Sequence, residues 1–319
     1  MKAAVLEEIG KPPVYGDFDE PERARGQSLI EVSAAPLNPV DLWISSGKHH
    51  AGAPPVPSVV GREAAGTVIE SDTIESGTRV YAPVGSAAMA ERLVAPDDEL
   101  VELPDGVEDA LAASFGVAGL AAWLGLGFRG NLQHGETVLV LGATGAVGII
   151  AVQGAKLLGA GRVVAAGRSE EGLERARRLG ADATVRLDAD GDLADAFIEA
   201  CDGRLDLTID PVWGEPAAAA VRASSFQARL VQIGQSASPD ATLSSGAVRG
   251  KALSILGHTS PGVPAEVRRD AYEQMLRHAA AGELTVDYEL LPLAQVAEAW
   301  ERQAASPGRK LVLVPGDVP

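Results

Sequence analysis

The stretch of residues 136–158 limits what this chain can fold into more than any other. Residues 136–141 are almost entirely apolar, which is typical of a strand covered on both faces of a parallel sheet. A glycine-rich segment follows at 142–148 and leads directly into an apolar helix that reaches Leu158. A strand, a glycine turn and a helix in this order begin a βαβ unit. The sequence therefore predicts a parallel sheet with helices on both faces.

The rest of the chain falls into a β-rich part and an alternating part. We predict strands at 162–166, 205–210, 229–233, 252–256 and 310–314, and helices at 170–179, 265–281 and 293–305. In the first hundred residues, short β-rich runs lie at 29–32, 66–70 and 78–81. The prolines between residues 12 and 57 argue against a helix there. The pattern predicts an α/β protein with a β-rich domain before a doubly wound domain.

The composition disfavours two classes of partner. The 319 residues include 44 Asp and Glu against 27 Lys and Arg, which gives a formal charge of −17. A protein that binds a phosphate backbone needs the opposite balance, so we expect no nucleic-acid partner. Two uncharged stretches, 110–128 and 137–155, approach the length of a membrane span, but glycines interrupt both. We interpret them as buried elements of a soluble protein with no membrane partner.

Cysteine content and the N-terminal residues bear on the compartment. Cys201 is the only cysteine, so neither an intrachain disulfide nor a cysteine-rich zinc lobe can form. The N-terminus reaches Glu7 and Glu8 too soon for a signal peptide. Both features fit a reducing environment, and we predict a cytoplasmic protein.

The glycine segment has the chemistry of a dinucleotide-binding turn. Gly145 lets the backbone turn tightly and approach a pyrophosphate, and Gly148 lets the helix pack closely against the strand. The free N–H groups and the dipole of the helix start favour phosphates. An ordinary glycine-rich turn is the alternative interpretation. We assign five loop residues to cofactor binding: Ala143, Thr144, Gly145, Ala146 and Val147.

The end of the next strand indicates which dinucleotide is bound. A site for NAD places Asp or Glu there, because a carboxylate accepts from the ribose 2′-hydroxyl. This chain instead reads Gly167, Arg168 and Ser169. A guanidinium and a hydroxyl would hold a 2′-phosphate that a carboxylate would repel. We therefore predict that the cofactor is NADPH and that these three residues bind it; a solvated turn arginine is the alternative.

Motifs in the first hundred residues resemble the signatures of a known family. Residues 36–42 read Pro-Leu-Asn-Pro-Val-Asp-Leu, which resembles the N-P-x-D signature of quinone oxidoreductases. Residues 61–66, Gly-Arg-Glu-Ala-Ala-Gly, and 77–80, Gly-Thr-Arg-Val, match further signatures. With the glycine loop, these motifs make the chain resemble the zinc-independent quinone oxidoreductase branch of the medium-chain dehydrogenase/reductase superfamily over essentially its whole length.

The resemblance implies a GroES-like β-barrel catalytic domain and a Rossmann NADPH-binding domain with a doubly wound parallel sheet. We assign the first to residues 1–118 and 262–319 and the second to residues 119–261. Trp43 falls at a pocket position of the family, and we also count Gly234 and Lys310 among the cofactor-binding residues. The family usually forms dimers. We expect a homodimer that pairs through the last strand of the nucleotide sheet, within 253–258.

Departures from the family's zinc-dependent members argue against a metal. Those members carry a cysteine where this chain has Asn38, a histidine where it has Arg62, and a third ligand near Ser114. Asn and Ser are poor zinc ligands and Arg cannot ligate, so we predict no metal site. A second departure is that residues 119–122 read Gly-Leu-Ala-Ala, where many quinone reductases have a threonine facing the nicotinamide.

These observations leave three hypotheses for function. The first is an NADPH-dependent reductase of quinones or conjugated enones, in which Asn38 donates to the oxygen that gains charge, with Trp43 and Tyr81 completing the catalytic residues. The alternative enzyme is an enoyl or 2-alkenal reductase of a lipid or polyketide pathway, which needs a proton from Tyr81 or His49. His49 and His50 otherwise fit a solvated loop. The third is a catalytically quiet NADPH-binding protein, which the missing threonine keeps open.

Overall fold

The computed structural model describes residues 1–49, 52–316 and 318. The chain forms two compact units, of which the first is Met1–Val117 with Glu273–Pro319 and the second is Ala118–Tyr272. The return to the first unit falls between Tyr272 and Glu273. Within the described ranges, no helix combines the length and the apolar character needed to cross a membrane.

The N-terminal part of the chain is rich in short strands. They are β1 (Lys2–Leu6), β2 (Val14–Asp17), β3 (Gln27–Pro36), β4 (Ser58–Val59), β5 (Ala64–Glu70), β6 (Arg79–Ala82), β7 (Arg92–Pro96) and β8 (Val101–Glu102). The helices of this part are α1 (Pro39–Ser45), α2 (Asp109–Ser114) and α3 (Val117–Leu124), which runs into a π-helical turn, Gly125–Arg129. The three predicted β-rich runs lie in β3, β5 and β6.

Helix α1 contradicts the prediction that prolines exclude a helix before residue 57. Pro39 is the first residue of α1, where a missing N–H leaves no helical bond unmade and the fixed φ suits the helix. Asn38 precedes it in an extended conformation, with φ −123° and ψ 151°. The carboxylate of Asp41 accepts the backbone N–H of Asn38 at 2.8 Å and fixes the start of the helix.

The second unit has the alternation that the sequence predicted. Its strands are β9 (Thr137–Leu141), β10 (Arg162–Gly167), β11 (Ala183–Arg186), β12 (Leu207–Asp210), β13 (Arg229–Gln232) and β14 (Ser254–Gly257). Its helices are α4 (Ala146–Leu157), α5 (Glu170–Arg178), α6 (Leu193–Ala200), α7 (Gly214–Ala223) and α8 (Ser245–Gly250), before α9 (Ala265–Ala280).

The six strands of this unit form one parallel sheet in the order β11-β10-β9-β12-β13-β14. The order runs outward in both directions from the β9–β12 pair, so the switch point of a doubly wound sheet lies between these strands. Every residue of β9 is buried, because helices cover both faces. On one face, Leu139, Leu141 and Leu230 pack with Phe197 and α7. The predicted doubly wound α/β fold is confirmed.

The chain then returns to the first unit through β15 (Tyr288–Pro292), α10 (Val296–Ala304) and β16 (Lys310–Val314). Strand β16 pairs with β15 in parallel and with β3 in antiparallel, so Val312 lies opposite Pro36. The resulting seven-stranded sheet has the order β15-β16-β3-β5-β6-β8, with β7 also on β3, and a separate sheet has the order β2-β1-β4. This register brings the start of β16 beside the residues that follow β3.

Candidate functional site

Five buried polar residues form a cluster inside the first unit. They are Asn38, Asp41, Glu63, Tyr81 and Lys310, and we call them the polar cluster; none of their side chains is more than 3% exposed. Ionisable groups are rarely this buried unless they are paired, so the cluster requires a specific explanation.

The sheet of the first unit brings these residues together. Asn38 lies between β3 and α1, Glu63 directly precedes β5, and Tyr81 in β6 pairs with Ala65 of β5. Lys310 is the first residue of β16, and the backbone N–H of Leu37 donates to the carbonyl of Leu311 at 2.9 Å. The returning strand therefore delivers a lysine to a site that the first hundred residues build.

A continuous chain of hydrogen bonds connects Lys310 to Tyr81. The ammonium of Lys310 donates to Oδ1 of Asn38, and Nδ2 of Asn38 donates to Oε1 of Glu63 at 2.9 Å. The hydroxyl of Tyr81 donates to Oε2 of Glu63 at 2.9 Å, and so does the backbone N–H of Val117 at 2.5 Å. Glu63 thus accepts three hydrogen bonds, which offset part of the cost of burying its charge.

A glycine makes room for this arrangement. A Cβ atom at Gly116 would lie 1.8 Å from Oε2 of Glu63 and 2.1 Å from the hydroxyl of Tyr81. No side chain fits there without displacing one of the two bonded groups. The hydrogen bond between Tyr81 and Glu63 therefore requires a glycine at position 116.

Burial shifts the acid–base behaviour of the polar cluster. It raises the pKa of Asp41 to about 7, opposed by the N–H bond from Asn38 and reinforced by the charge of Glu63. Burial also raises the pKa of Glu63, which the positive charge of Lys310 lowers in turn. The pKa of Lys310 is lowered by burial and raised by Glu63. Two carboxyl groups and one ammonium therefore share a buried space, and the cluster can hold a proton near neutral pH.

The structure gives the predicted residues of the first unit different surroundings. Asn38 and Tyr81 lie together in the polar cluster, and Lys310, predicted to bind the cofactor, bonds to Asn38. Trp43 is 38% exposed, and its ring meets that of His49 edge to face at 5.0 Å. His50 lies outside the described residues. The catalytic and cofactor roles assigned to these side chains remain predictions.

Sequence reasoning missed two members of the cluster, Glu63 and Asp41. Asp41 lies in the motif at 36–42 and Glu63 in the motif at 61–66, but neither was assigned to the site. Their role depends on burial beside Lys310, however, which no local pattern reveals.

The positions that hold zinc in related dehydrogenases carry other bonds here. The guanidinium of Arg62 donates to the backbone carbonyl of Gly85 at 3.2 Å. The hydroxyl of buried Ser114 donates to the backbone carbonyl of Ala110 at 2.6 Å. Across the residues that the structure describes, no three His, Cys, Asp or Glu side chains come close enough to hold a metal ion.

The glycine loop of the second unit fits a dinucleotide phosphate. A Cβ atom at Gly145 would meet nothing closer than the carbonyl of Gly142, 3.7 Å away, so the loop leaves open space there. At Gly148 a Cβ would lie 2.3 Å from that carbonyl, which lets only glycine stand there. Helix α4 begins at Ala146, and its first N–H groups, including that of Val147, have no acceptor within the helix. These donors and the helix dipole suit an anion.

The neighbouring strand end is held against this loop through Thr144. A Cβ at Gly167 would lie 2.6 Å from Cγ2 of Thr144, and one at Gly172 would lie 2.7 Å from it. The backbone N–H of Ala143 donates to the carbonyl of Ala166 at 2.9 Å, and Arg175 donates to the carbonyl of Thr144 at 2.9 Å. Arg175 was not predicted, because a helical arginine among other charges gives no local signal.

The other predicted cofactor residues lie at carboxyl ends of strands in the same sheet. Arg168 is exposed directly after β10. Ser169 caps α5, where its hydroxyl oxygen accepts the N–H of Gly172 at 3.1 Å, and its own hydrogen can still be donated. Gly234 follows β13 and packs on the chain after β12, since a Cβ there would lie 2.8 Å from the carbonyl oxygen of Pro211. Cofactor binding by these residues remains a prediction.

Comparison with known proteins gives matches to both units. The family model of the alcohol dehydrogenase GroES-like domain matches residues 24–105, and the model of the zinc-binding dehydrogenase matches residues 146–281. A quinone oxidoreductase from Thermus thermophilus, whose structure was also solved in complex with NADPH, is 30% identical with a TM-score of 0.84. That match covers 98% of this chain and 100% of the other.

Two further relatives match this chain in sequence. A subunit of the phenolphthiocerol/phthiocerol polyketide synthase of Mycobacterium tuberculosis is 34% identical over 246 residues, which is 73% of this chain and 11% of that protein. The chloroplastic NADPH-dependent alkenal/one oxidoreductase of Arabidopsis thaliana is 34% identical over 201 residues, 58% of this chain and 52% of that protein. The chain thus corresponds to a small part of the first relative and about half of the second.

The matches and the geometry agree on the family. The GroES-like model matches the β-rich unit, and the dehydrogenase model matches most of the unit with the parallel sheet and the glycine loop. The likeness to the Thermus thermophilus structure extends over nearly the whole chain. The chain is therefore an oxidoreductase that belongs to the medium-chain dehydrogenase/reductase superfamily, in its quinone oxidoreductase-like branch.

Proposed function

We propose that the protein is an NADPH-dependent reductase that transfers hydride to a quinone or a conjugated enone. The observation that carries the choice of cofactor is the end of β10, where Gly167 is followed by the exposed Arg168 and by Ser169. A carboxylate would serve a ribose hydroxyl at this place, whereas a guanidinium and a hydroxyl serve a 2′-phosphate. The NADPH complex of the Thermus thermophilus relative supports the same choice.

The bound dinucleotide would supply the hydride. The chain's own residues would bind and orient the dinucleotide and polarise the acceptor. The N-terminus of α4 would hold the pyrophosphate, with Gly145 leaving room for it. Arg175 would keep Thr144 in place beside Gly167. Asn38 would donate to the acceptor oxygen, and Trp43 offers an aromatic face with 38% of its surface exposed.

A quinone acceptor suits a site in which a predicted proton donor, Tyr81, is already engaged. Tyr81 is 3% exposed and its hydroxyl donates a hydrogen bond to Glu63, so it serves the polar cluster first. A hydroquinone anion is stable enough to take its second proton from solvent. The proposed chemistry therefore needs positioning and charge stabilisation more than a dedicated proton donor.

The alternative is an enoyl or 2-alkenal reductase of a lipid or polyketide pathway. Two relatives favour it: a polyketide synthase subunit, to a segment of which this chain is 34% identical, and an alkenal/one oxidoreductase, to which it is also 34% identical. This reaction needs a proton at the α-carbon, for which Tyr81 and His49, whose ring contacts that of Trp43, are the candidates.

A steady-state assay of NADPH oxidation against matched quinones and enones tests the proposal. We expect turnover of quinones, with NADPH preferred to NADH. Turnover of enoyl thioesters or 2-alkenals alone would establish the alternative. Tight NADPH binding without turnover of any acceptor would instead identify a catalytically quiet NADPH-binding protein and contradict both enzymatic functions.

A further inference from the structure

A turn at the carboxyl end of β12 lies beside the switch point of the parallel sheet. It comprises residues 211–213, and we call it the β12 turn. A Cβ atom at Gly142, the first residue of the glycine loop, would lie 2.7 Å from Cγ1 of Val212 and 3.4 Å from Cγ of Pro211. The turn therefore packs directly on the loop that we propose to hold the pyrophosphate.

The β12 turn is also attached on its other side. Past β13, the N–H of Ala237 donates to the carbonyl of Val212 at 2.8 Å, and that of Ser236 donates to the carbonyl of Pro211 at 3.3 Å. The turn thus joins three neighbouring strand ends, those of β9, β12 and β13. In an open α/β sheet, ligands bind outside the carboxyl ends of the strands at the switch point.

The backbone of this turn is strained. Trp213 has φ 61° and ψ −162°, a combination that is essentially restricted to glycine. Such a conformation persists only where the surroundings enforce it, and the enforcing group here is Asp210. Its Oδ1 accepts the N–H of Val212 at 2.9 Å and that of Trp213 at 2.8 Å.

Asp210 is completely buried, and no described residue donates to its second oxygen, Oδ2. Burial raises the pKa of Asp210 to about 6, which the two N–H bonds oppose. A half-satisfied buried carboxyl group is costly to fold. Among the described contacts, the hydrogen bonds of its side chain are to the β12 turn, so the role of this side chain is to fix the conformation of that turn.

We infer that Asp210 is a positioning residue for nucleotide binding, acting through the β12 turn on Gly142 and the glycine loop. The inference rests on the proposed function, because it needs the loop to bind a dinucleotide. Asp210 itself does not have to touch the cofactor. Its carboxylate fixes Val212, and Val212 limits where Gly142 can go.

The test is a titration of NADPH, followed by protein or nicotinamide fluorescence, on purified Asp210→Ala and Asp210→Asn variants. The Ala variant frees two backbone N–H groups, and we expect its Kd to rise by about tenfold, which corresponds to about 1.4 kcal/mol. The Asn variant keeps a carbonyl oxygen as acceptor, and we expect a Kd within about twofold of the parent. Rescue by Asn is a result that a nonspecific loss of stability would not give.

Asp182 provides a matched control in the same sheet. Its carboxylate accepts the N–H of Val163 at 2.7 Å, but at the amino end of β10, away from the glycine loop. Asp182→Ala should lower Tm and leave the Kd for NADPH unchanged. If Asp210→Ala does not fold, Val212→Ala takes its place, since it removes the side chain beside Gly142 and keeps both N–H bonds; its Kd should also rise.

The outcomes separate the two claims. A folded Asp210→Ala, or its substitute Val212→Ala, that binds NADPH as tightly as the parent overturns the inference. Equal losses of affinity in the Asp182 and Asp210 variants overturn it as well, because they would reflect general destabilisation. A parent protein that binds neither NADPH nor NADH refutes the proposed function and removes the basis of the inference with it.

Discussion

Removing the buried ammonium of Lys310 is the strongest test of how the polar cluster is held. Lys310→Met keeps the length and the apolar stem of the side chain, so the change is mainly one of charge and hydrogen bonding. Lys310 is 3% exposed and Glu63 is fully buried, so solvent screens little of their interaction. The ammonium bonds to Asn38 and acts on Glu63 through its charge. Removing one of two opposite buried charges costs about 3–5 kcal/mol, because the other charge stays behind. At about 2–4 °C per kcal/mol, Tm should fall by roughly 6–20 °C at pH 8.

The same variant should show a characteristic dependence on pH. In the folded state, burial raises the pKa of Glu63 and takes that of Asp41 to about 7; without the ammonium both should rise further. When the pKa of a carboxyl group is higher in the folded than in the unfolded state, the group does not affect the free energy of unfolding at pH values below its unfolded pKa. As pH rises from the unfolded pKa to the folded pKa, the group lowers the free energy of unfolding progressively. The difference in Tm between parent and Lys310→Met should therefore be smaller at pH 5.5 than at pH 8.

Lys251 supplies the matched control. Its ammonium donates to the backbone carbonyl of Arg222, and burial alone lowers its pKa. Lys251→Met should lower Tm by an amount that does not change between pH 5.5 and pH 8. Thermal melts of the three proteins at both pH values complete the experiment. A Lys310→Met deficit that is constant with pH, or smaller than about 1 kcal/mol, would refute the view that this ammonium compensates buried carboxylates.

Three further predictions concern the cofactor, the substrate and the assembly. The parent should bind NADPH at least about tenfold more tightly than NADH, and Arg168→Ala should remove most of that preference in calorimetric titrations; equal or tighter NADH binding by the parent would contradict the assignment. Asn38→Ala should lower Tm and reduce kcat on the order of tenfold with little change in the Kd for NADPH, whereas an unchanged kcat would remove Asn38 from the catalytic residues. Light scattering at micromolar concentration should report a dimer paired through the edge strand Ser254–Gly257, and a monomer would count against it.

The parallel sheet could be predicted because its signals are local. Five of the six strands of the second unit contain apolar runs that the sequence analysis predicted, and the helices α4 and α5 were predicted as well. Strand β11, Ala183–Arg186, and the helices α6, α7 and α8 were not predicted. The small strands of the first unit give weaker signals: Ser58–Val59 has two residues and exists through pairing with β1 far away in the chain. Helix α1 was excluded on its prolines, although Pro39 stands at the single helical position that proline favours.

The candidate sites divide in the same way. The glycine loop was found because the strand, turn and helix that form it are contiguous. The polar cluster was found only in part: Asn38, Tyr81 and Lys310 were predicted as site residues, but Glu63 and Asp41 were not. Their role depends on burial near Lys310, which bonds to Asn38 across 272 residues of the chain, and no local pattern reveals that. Asp210 was predicted only as the end of a strand. Its importance comes from the φ of Trp213 and from the contact of Val212 with Gly142, which are properties of the folded backbone.

The hydrogen bonds of the polar cluster set a condition on the proposed catalytic role of Asn38. One amide hydrogen is given to Glu63 at 2.9 Å, but the other reaches only the carbonyl of Pro36 at 3.4 Å, beyond the usual range. Only this second hydrogen can pass to an acceptor oxygen at little cost. Because Lys310 holds Oδ1 and Glu63 holds the first hydrogen, the amide cannot rotate to exchange its oxygen and nitrogen. The buried ammonium and carboxylate thereby fix the direction of the remaining donor, which is the preorganisation that stabilising a developing oxyanion requires.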